Sequence, residues 1–336
     1  GTWATTTTNL DTAGGDDLVY VSSGALIESL DEFDANRDWA AFHDQVLHNG
    51  RLDPNPTTVT TQPLRPGGTL DYVQGELNIE AGTGQNTLSI SDRHDDDADE
   101  NVLITEDAVT GLAPADINYE ATGGDISGQG KWNLSDDFGD YGRGVTIYGG
   151  LGGNTIDITS IHTSGALDLP FTREITTLFA GRGDDVVTVS VTDDVGRFLV
   201  VRGESGDDTI DAITSSLAQS LFGDEGQDTI HGGSNTNTIF GDEGRIYYLR
   251  PASETGFNIV LGGAPEADVS VLVNDNKYMT ADLLHTTFDV ATDGNDDITS
   301  QGANDIVLAG GHDACTVIEN ETIYSGEGNN IVVGDY

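Results

Sequence analysis

Short apolar runs recur along this chain, each preceded by a stretch of glycine, aspartate and asparagine. Residues 146–148, 186–191, 198–201 and 258–261 are such runs, rich in β-branched and aromatic residues, and they predict short strands separated by tight turns. The spacing becomes regular from Gly223: GDEGQDTIH (223–231), GGSNTNTIF (232–240) and GDEGRIYYL (241–249) are three contiguous nine-residue units in one register. Each begins with Gly and carries a large apolar residue at position eight or beside it. Related units lie upstream as GGLGGNTID (149–157), AGRGDDVVT (180–188) and GESGDDTID (203–211), with fainter copies at 13–21, 81–89, 293–300, 301–308 and 325–333.

Up to and including the first contiguous unit, the Asp or Asn at position six falls at Asn86, Asn154, Asp185, Asp208 and Asp228. The last three gaps, 154 to 185, 185 to 208 and 208 to 228, are 31, 23 and 20 residues. These intervals match one coil of a parallel β-solenoid. A single coil cannot bury its apolar side chains, whereas stacked coils bury them in a continuous column. The expected fold is therefore all-β, a parallel β-solenoid of the β-roll or β-helix kind with glycine/aspartate turns and one N-terminal helical insertion. The insertion is expected at 34–49, where Trp39, Phe42, Val46 and Leu47 fall at helical spacing behind Asp34 as N-cap. A proline-rich loop follows to Gly68. The expected division is 1–75, a solenoid start with insertion and loop, and 76–336, the repeat solenoid; residues 91–100, SDRHDDDADE, are expected as an exposed loop.

Charge narrows the ligand. Fifty-eight acidic residues against 13 basic ones give a net charge of −45, with Lys131 and Lys277 the two lysines. That field argues against nucleic acid and for divalent cations or a high-salt setting. The single cysteine, Cys315, forms neither an internal disulfide nor a thiolate metal site. No apolar run approaches membrane-spanning length. The missing initiator Met and signal peptide, and an ending at Gly334-Asp335-Tyr336 in mid-pattern, are expected of an excised piece of a larger extracellular protein.

The repeat supplies the oxygen donors that calcium takes, carboxylates from position six and backbone carbonyls from glycine turns. These residues resemble the repeats-in-toxin, or hemolysin-type, calcium-binding nonapeptide, GGxGxDxUx with U large and apolar. The resemblance covers 149–249 most densely. It implies Ca2+ between successive turns, with Asp185, Asp208 and Asp228 at position six and Asn154 and Asn237 in the equivalent place. The turn residues it adds are Gly181, Gly183, Gly206, Gly223, Gly226 and Gly232. Asp224 and Asp242 stand at position two, as substitute carboxylates or as solvated residues. Arg245 and Ile246 occupy positions five and six of the last contiguous unit, which thus lacks its carboxylate. The alternative reading of the same residues is a metal-free β-helix in which Gly, Asp and Asn are turn formers and Asn ladders stack.

Catalytic patterns are poor. His43, His48, His94, His162, His231, His285 and His312 show no HExxH spacing, and there is no G-x-S-x-G elbow, P-loop or dinucleotide fingerprint. Arg182-Gly183-Asp184 spells an integrin-binding tripeptide inside a turn and is read as coincidence. The expected function is a non-enzymatic, extracellular, calcium-binding structural or adhesive module of a fibre or surface protein, folding on calcium binding. Neighbouring repeats, copies of the chain and cell-surface glycans are the partners this allows. The alternatives are an accessory region of a secreted polysaccharide-active enzyme and a metal-free acidic solenoid from a halophile.

Overall fold

The computed structural model describes residues 6–15, 17–23, 68–121, 139–141, 144–162, 174–192, 197–242, 244–248, 259–261, 283–286, 295–301, 305–309 and 322–334. The helix expected at 34–49 and the proline-rich stretch 51–67 lie outside them. Among the described residues the chain is all strand and turn, without a helix.

Two sheets run the length of the molecule, one of eleven strands and one of nine, and the chain contributes to them alternately. Pairing between coils is parallel; the exception in these two sheets is an antiparallel detour through Val102–Ile104, Ala108–Thr110 and Ile117–Glu120. The position-eight residues explain why the coils stack. Ile156, Val187, Ile210, Ile230 and Ile298 are direct neighbours along one sheet. Ile90, Ile147, Leu178, Val201, Leu221, Ile239 and Val307 form the facing column. All are at most 1% exposed, and at ~1.5–3 kcal/mol per buried large aliphatic side chain this double column is the main stabilising term.

The outer faces of the two sheets differ. The eleven-stranded sheet turns Thr155, Asp157 and Val186 toward solvent. On the other sheet Tyr148 stacks on Phe179 and Phe222 on Phe240, with ring centroids 4.8 and 4.7 Å apart. Arg202 sits between these pairs, its guanidinium 5.2 Å from the Phe222 ring, and Arg93 lies 5.5 Å from the Tyr148 ring.

The regular unit is half a coil. Residues 223–231 and 232–240 occupy opposite corners, because strand Thr229–His231 belongs to one sheet and Asn237–Phe240 to the other. The third unit departs from the pattern. Gly244–Tyr248 leaves the solenoid and pairs antiparallel with Ile259–Leu261 and Leu283–Thr286. The next rung is taken by Asp297–Thr299, which pairs with Thr229–His231 after an excursion of some 60 residues.

Candidate metal centre

At the corner where the chain passes from the nine-stranded to the eleven-stranded sheet, the position-six residues form a continuous ladder. The backbone N–H of Asn154 donates to Asp185 Oδ1 (2.5 Å), Asp185 to Asp208 (2.8 Å), Asp208 to Asp228 (2.8 Å) and Asp228 to Asp296 (2.9 Å). The register follows from the apolar residue two positions later in each unit, which pins every coil to the core. Asp185, Asp208 and Asp228 are 1–2% exposed.

Each of these carboxylates has its second oxygen, Oδ2, buried without a hydrogen-bond partner. For Asp208 and Asp228 that oxygen faces the glycine at position one of the same unit. A Cβ built on Gly203 would lie 2.1 Å from Asp208 Oδ2 and 2.4 Å from the carbonyl oxygen of Gly223 in the next coil. On Gly223 the same test gives 2.2 Å to Asp228 Oδ2 and 2.2 Å to the Gly241 carbonyl; on Gly241 it gives 2.2 Å to both Asp296 Oδ2 and the Ala309 carbonyl. Three successive coils therefore bring a carboxylate oxygen and a carbonyl oxygen together over one glycine. Two acceptors facing each other repel unless a proton or cation lies between them. Asn154 shows how the frame looks when that conflict is absent: its Nδ2 donates to the Ala180 carbonyl at 3.0 Å.

Glycine is required here. Gly183, Gly206 and Gly226, at position four, have φ of 91°, 144° and 139°, and a side chain on Gly206 or Gly226 would run into the Gly183 or Gly206 carbonyl. Position two is left-handed too, at Gly181 (125°) but also at Glu204 (77°) and Asp224 (75°), a conformation costing non-glycine residues ~1–2 kcal/mol. Asp224 is neither solvated nor turned into the ladder. It is buried and held by Arg202, whose Nε donates to Oδ2 at 2.8 Å and whose Nη2 engages Oδ1.

Burial without a counter-charge raises the pKa of these carboxyls. Desolvation, opposed by backbone hydrogen bonds and reinforced by the neighbouring rungs, pushes Asp185 up to about 8, Asp208 to about 7 and Asp228 to about 8. Unit charges one coil, ~4.8 Å, apart repel by on the order of 3 kcal/mol at an effective dielectric near 20. A fully deprotonated ladder without a cation is thus electrostatically strained. Among the described residues no three Asp, Glu, His or Cys side chains gather into a conventional cluster. Each rung offers one carboxylate plus carbonyls, the hard-oxygen mixture suited to calcium.

The remaining expected residues fall elsewhere. Asn237 and Gly232 lie at the opposite corner, where Asn237 N–H donates to Asp305 Oδ1 (2.8 Å) and its Nδ2 donates to the carbonyls of Gly233 (2.9 Å) and Asn235 (2.7 Å). Asp242 is buried just before the chain leaves the solenoid. Residues 91–100 are not simply an exposed loop: Ser91 and Asp92 are buried, and 95–99 form a turn stacked on 149–153, with Leu151 N–H on the Asp95 carbonyl (2.6 Å) and Asp99 N–H on Asn154 Oδ1 (3.0 Å). In the Arg182-Gly183-Asp184 turn, Asp184 accepts the Asp207 N–H at 3.0 Å, so that tripeptide is committed to the stack. Sequence reasoning did not single out Asp296 or Asp305. The signal was present: Asp296 precedes Ile298 by two residues, as Asp228 precedes Ile230.

The family described as RTX calcium-binding nonapeptide repeat (4 copies) matches the chain over two segments, residues 214–245 and 318–335. No curated protein and no solved structure matches it. RTX nonapeptide repeats bind calcium ions, and the first matched segment contains Gly223, Gly226 and Asp228 of the ladder.

Proposed function

We propose that this chain is an extracellular structural module whose coils are locked by calcium at one corner. The carboxylates of Asp185, Asp208 and Asp228 serve as ligands, with carbonyls from the glycine turns at Gly181, Gly183, Gly206, Gly223 and Gly226. Asn154, Gly232 and Asn237 complete the frame without charge, and Asp224 and Asp242 brace it. The solenoid starts within 1–75 and continues through 76–336, interrupted where Gly244–Tyr248 leaves it and resumed at Asp297–Thr299. RTX repeat proteins are typically secreted or surface-associated, and among the described residues no helix is long and apolar enough to cross a membrane. A fibre, adhesin or surface layer built from such coils fits a rigid, non-catalytic role.

The observation that carries this reading is the Oδ2 of Asp208, buried, unpartnered and set against the Gly223 carbonyl, where Asn154 in the equivalent place donates a hydrogen bond. Calcium binding is then coupled to folding, since the donors converge only in the stacked coils. At a hundredfold excess over Kd each occupied site adds about 2.7 kcal/mol, so three rungs raise the thermal midpoint by roughly 15 °C. Circular dichroism melts at fixed ionic strength in calcium, magnesium and chelator test this. A calcium-specific rise of that size is expected; equal midpoints in all three would sink the reading.

A further inference from the structure

Beside the acidic corner, on the outer side of positions two and three, a cleft of about 370 Å³ runs across five coils from Arg93 to Glu225. Its floor is glycine backbone at Gly150 and Gly181, two coils with no side chain at position two. Its walls hold Arg93, Arg182 and Arg202, with Glu204, Ser205, Asp224 and Glu225. In a chain with 13 basic residues against 58 acidic ones, three of the four arginines whose side chains are described line this one feature.

Those arginines are not equally committed. Arg202 is held by Asp224 through Nε and Nη2. Arg93 reaches across the glycine floor to Glu204 with Nη2 alone (3.1 Å), leaving Nη1 buried without a hydrogen-bond partner. Arg182 is exposed and has no ion-pair partner among the described residues. The cleft thus presents the unpaired guanidinium of Arg182 and, two coils away, the partly exposed guanidinium of Arg93 with one nitrogen unpaired beneath it, beside acceptors on Glu225 and Ser205. A planar guanidinium recognises a carboxylate through paired N–H donors. Mixed donors and acceptors along a trough longer than ~14 Å, three coil spacings, match the hydroxyls of linked sugars.

We propose that this cleft binds a carboxylated saccharide chain, with the guanidinium groups of Arg182 and Arg93 holding a uronate carboxylate over the Gly150–Gly181 floor. The site goes beyond the calcium reading and stands on different side chains, although ions in the adjacent ladder would raise the local potential.

Titration of trigalacturonate into the folded, calcium-loaded chain by isothermal calorimetry tests it, with maltotriose, acetate and inorganic phosphate as comparison titrants. The expected result is binding of trigalacturonate, none of maltotriose at the same concentration, and about tenfold weakening in both R182Q and R93Q. R182Q changes an exposed residue and should melt like the parent, so its loss of binding is separable from misfolding; R197Q, outside the cleft, should bind unchanged. No heat with trigalacturonate, affinity unchanged from the parent in R182Q or R93Q, or equal binding of maltotriose would overturn the proposal. Acetate or phosphate binding as tightly as the trisaccharide would also overturn it, assigning the cleft to a small free oxyanion. The melting comparison in chelator reports on the calcium reading independently, so failure of one is visible without the other.

Discussion

The two corners of the coil solve the same stacking problem with different atoms. Both use a position-six side chain whose Oδ1 accepts the backbone N–H of a neighbouring coil: Asp185, Asp208, Asp228 and Asp296 on one side, Asn86, Asp305 and Asn330 on the other. They part at the second side-chain atom. At the mixed corner Asn237 turns an N–H toward carbonyls and toward Asp305 Oδ1, so the rung closes on itself. At the acidic corner the same place is held by a carboxylate oxygen facing a carbonyl across a glycine, and the rung is incomplete without an added positive charge. One NH2-for-O exchange separates the Asn237 rung, which closes on itself, from a rung that waits for an ion.

The widest separation between the corners should appear with pH. In the unliganded fold, Asp185, Asp208 and Asp228 titrate near 7 to 8, above the ordinary unfolded value near 4. The folded state therefore holds more protons than the unfolded state across that interval, and stability in chelator falls as pH rises from about 4 to about 8. Calcium requires the deprotonated carboxylate, so its stabilising increment grows over the same window. Thermal midpoints measured from pH 5 to 8.5 should diverge, falling in chelator and holding or rising in calcium. Parallel curves would erase the distinction between the corners.

N237D moves the acidic chemistry to the other side. The new carboxylate replaces an N–H donor by an oxygen facing Gly233 and Asn235 carbonyls and the Asp305 carboxylate. A loss of about 2–4 kcal/mol in chelator is expected, from an unsatisfied buried acceptor and a like-charge contact, read as a shift of the denaturation midpoint at pH 8. Milder, and opposite in sign, is D208N. The amide can donate to the Gly223 carbonyl as Asn154 does to Ala180, so in chelator at pH 8 the variant should be more stable than the parent by about 1–2 kcal/mol. Its calcium-induced gain should shrink by roughly one site. Destabilisation in both conditions would mean the carboxylate matters only as a cap.

Much of this was legible in the sequence because the coil announces itself locally. The apolar residue at position eight enters the core in every unit from 81–89 to 232–240, and the 31-, 23- and 20-residue intervals are the coil lengths over which the ladder bonds form. What stayed hidden is non-local. Nine-residue periodicity gives no sign that consecutive units alternate corners, so Asn237 reads as the successor of Asp228 although it stacks on Asp305. Ile246 marks an empty position six, whereas the chain departs there and Asp296 takes the rung. The Arg202–Asp224 pair joins residues one coil apart, and the aspartate run 95–99 follows no glycine pattern; neither has a local signature.

The excursion between Gly241 and Asp296 shows that the stack keeps its order by address rather than by sequence. Asp228 finds its partner 20 residues back in Asp208 and 68 residues ahead in Asp296 with bonds of nearly equal length, 2.8 and 2.9 Å. Lengthening that closure adds only about 1 kcal/mol of chain entropy, less than a single liganded rung supplies. A corner of this solenoid is thus a port at which cargo can be spliced in while the shaft continues undisturbed. The rungs before the port close over 20 to 31 residues of chain, whereas the rung across it closes over 68.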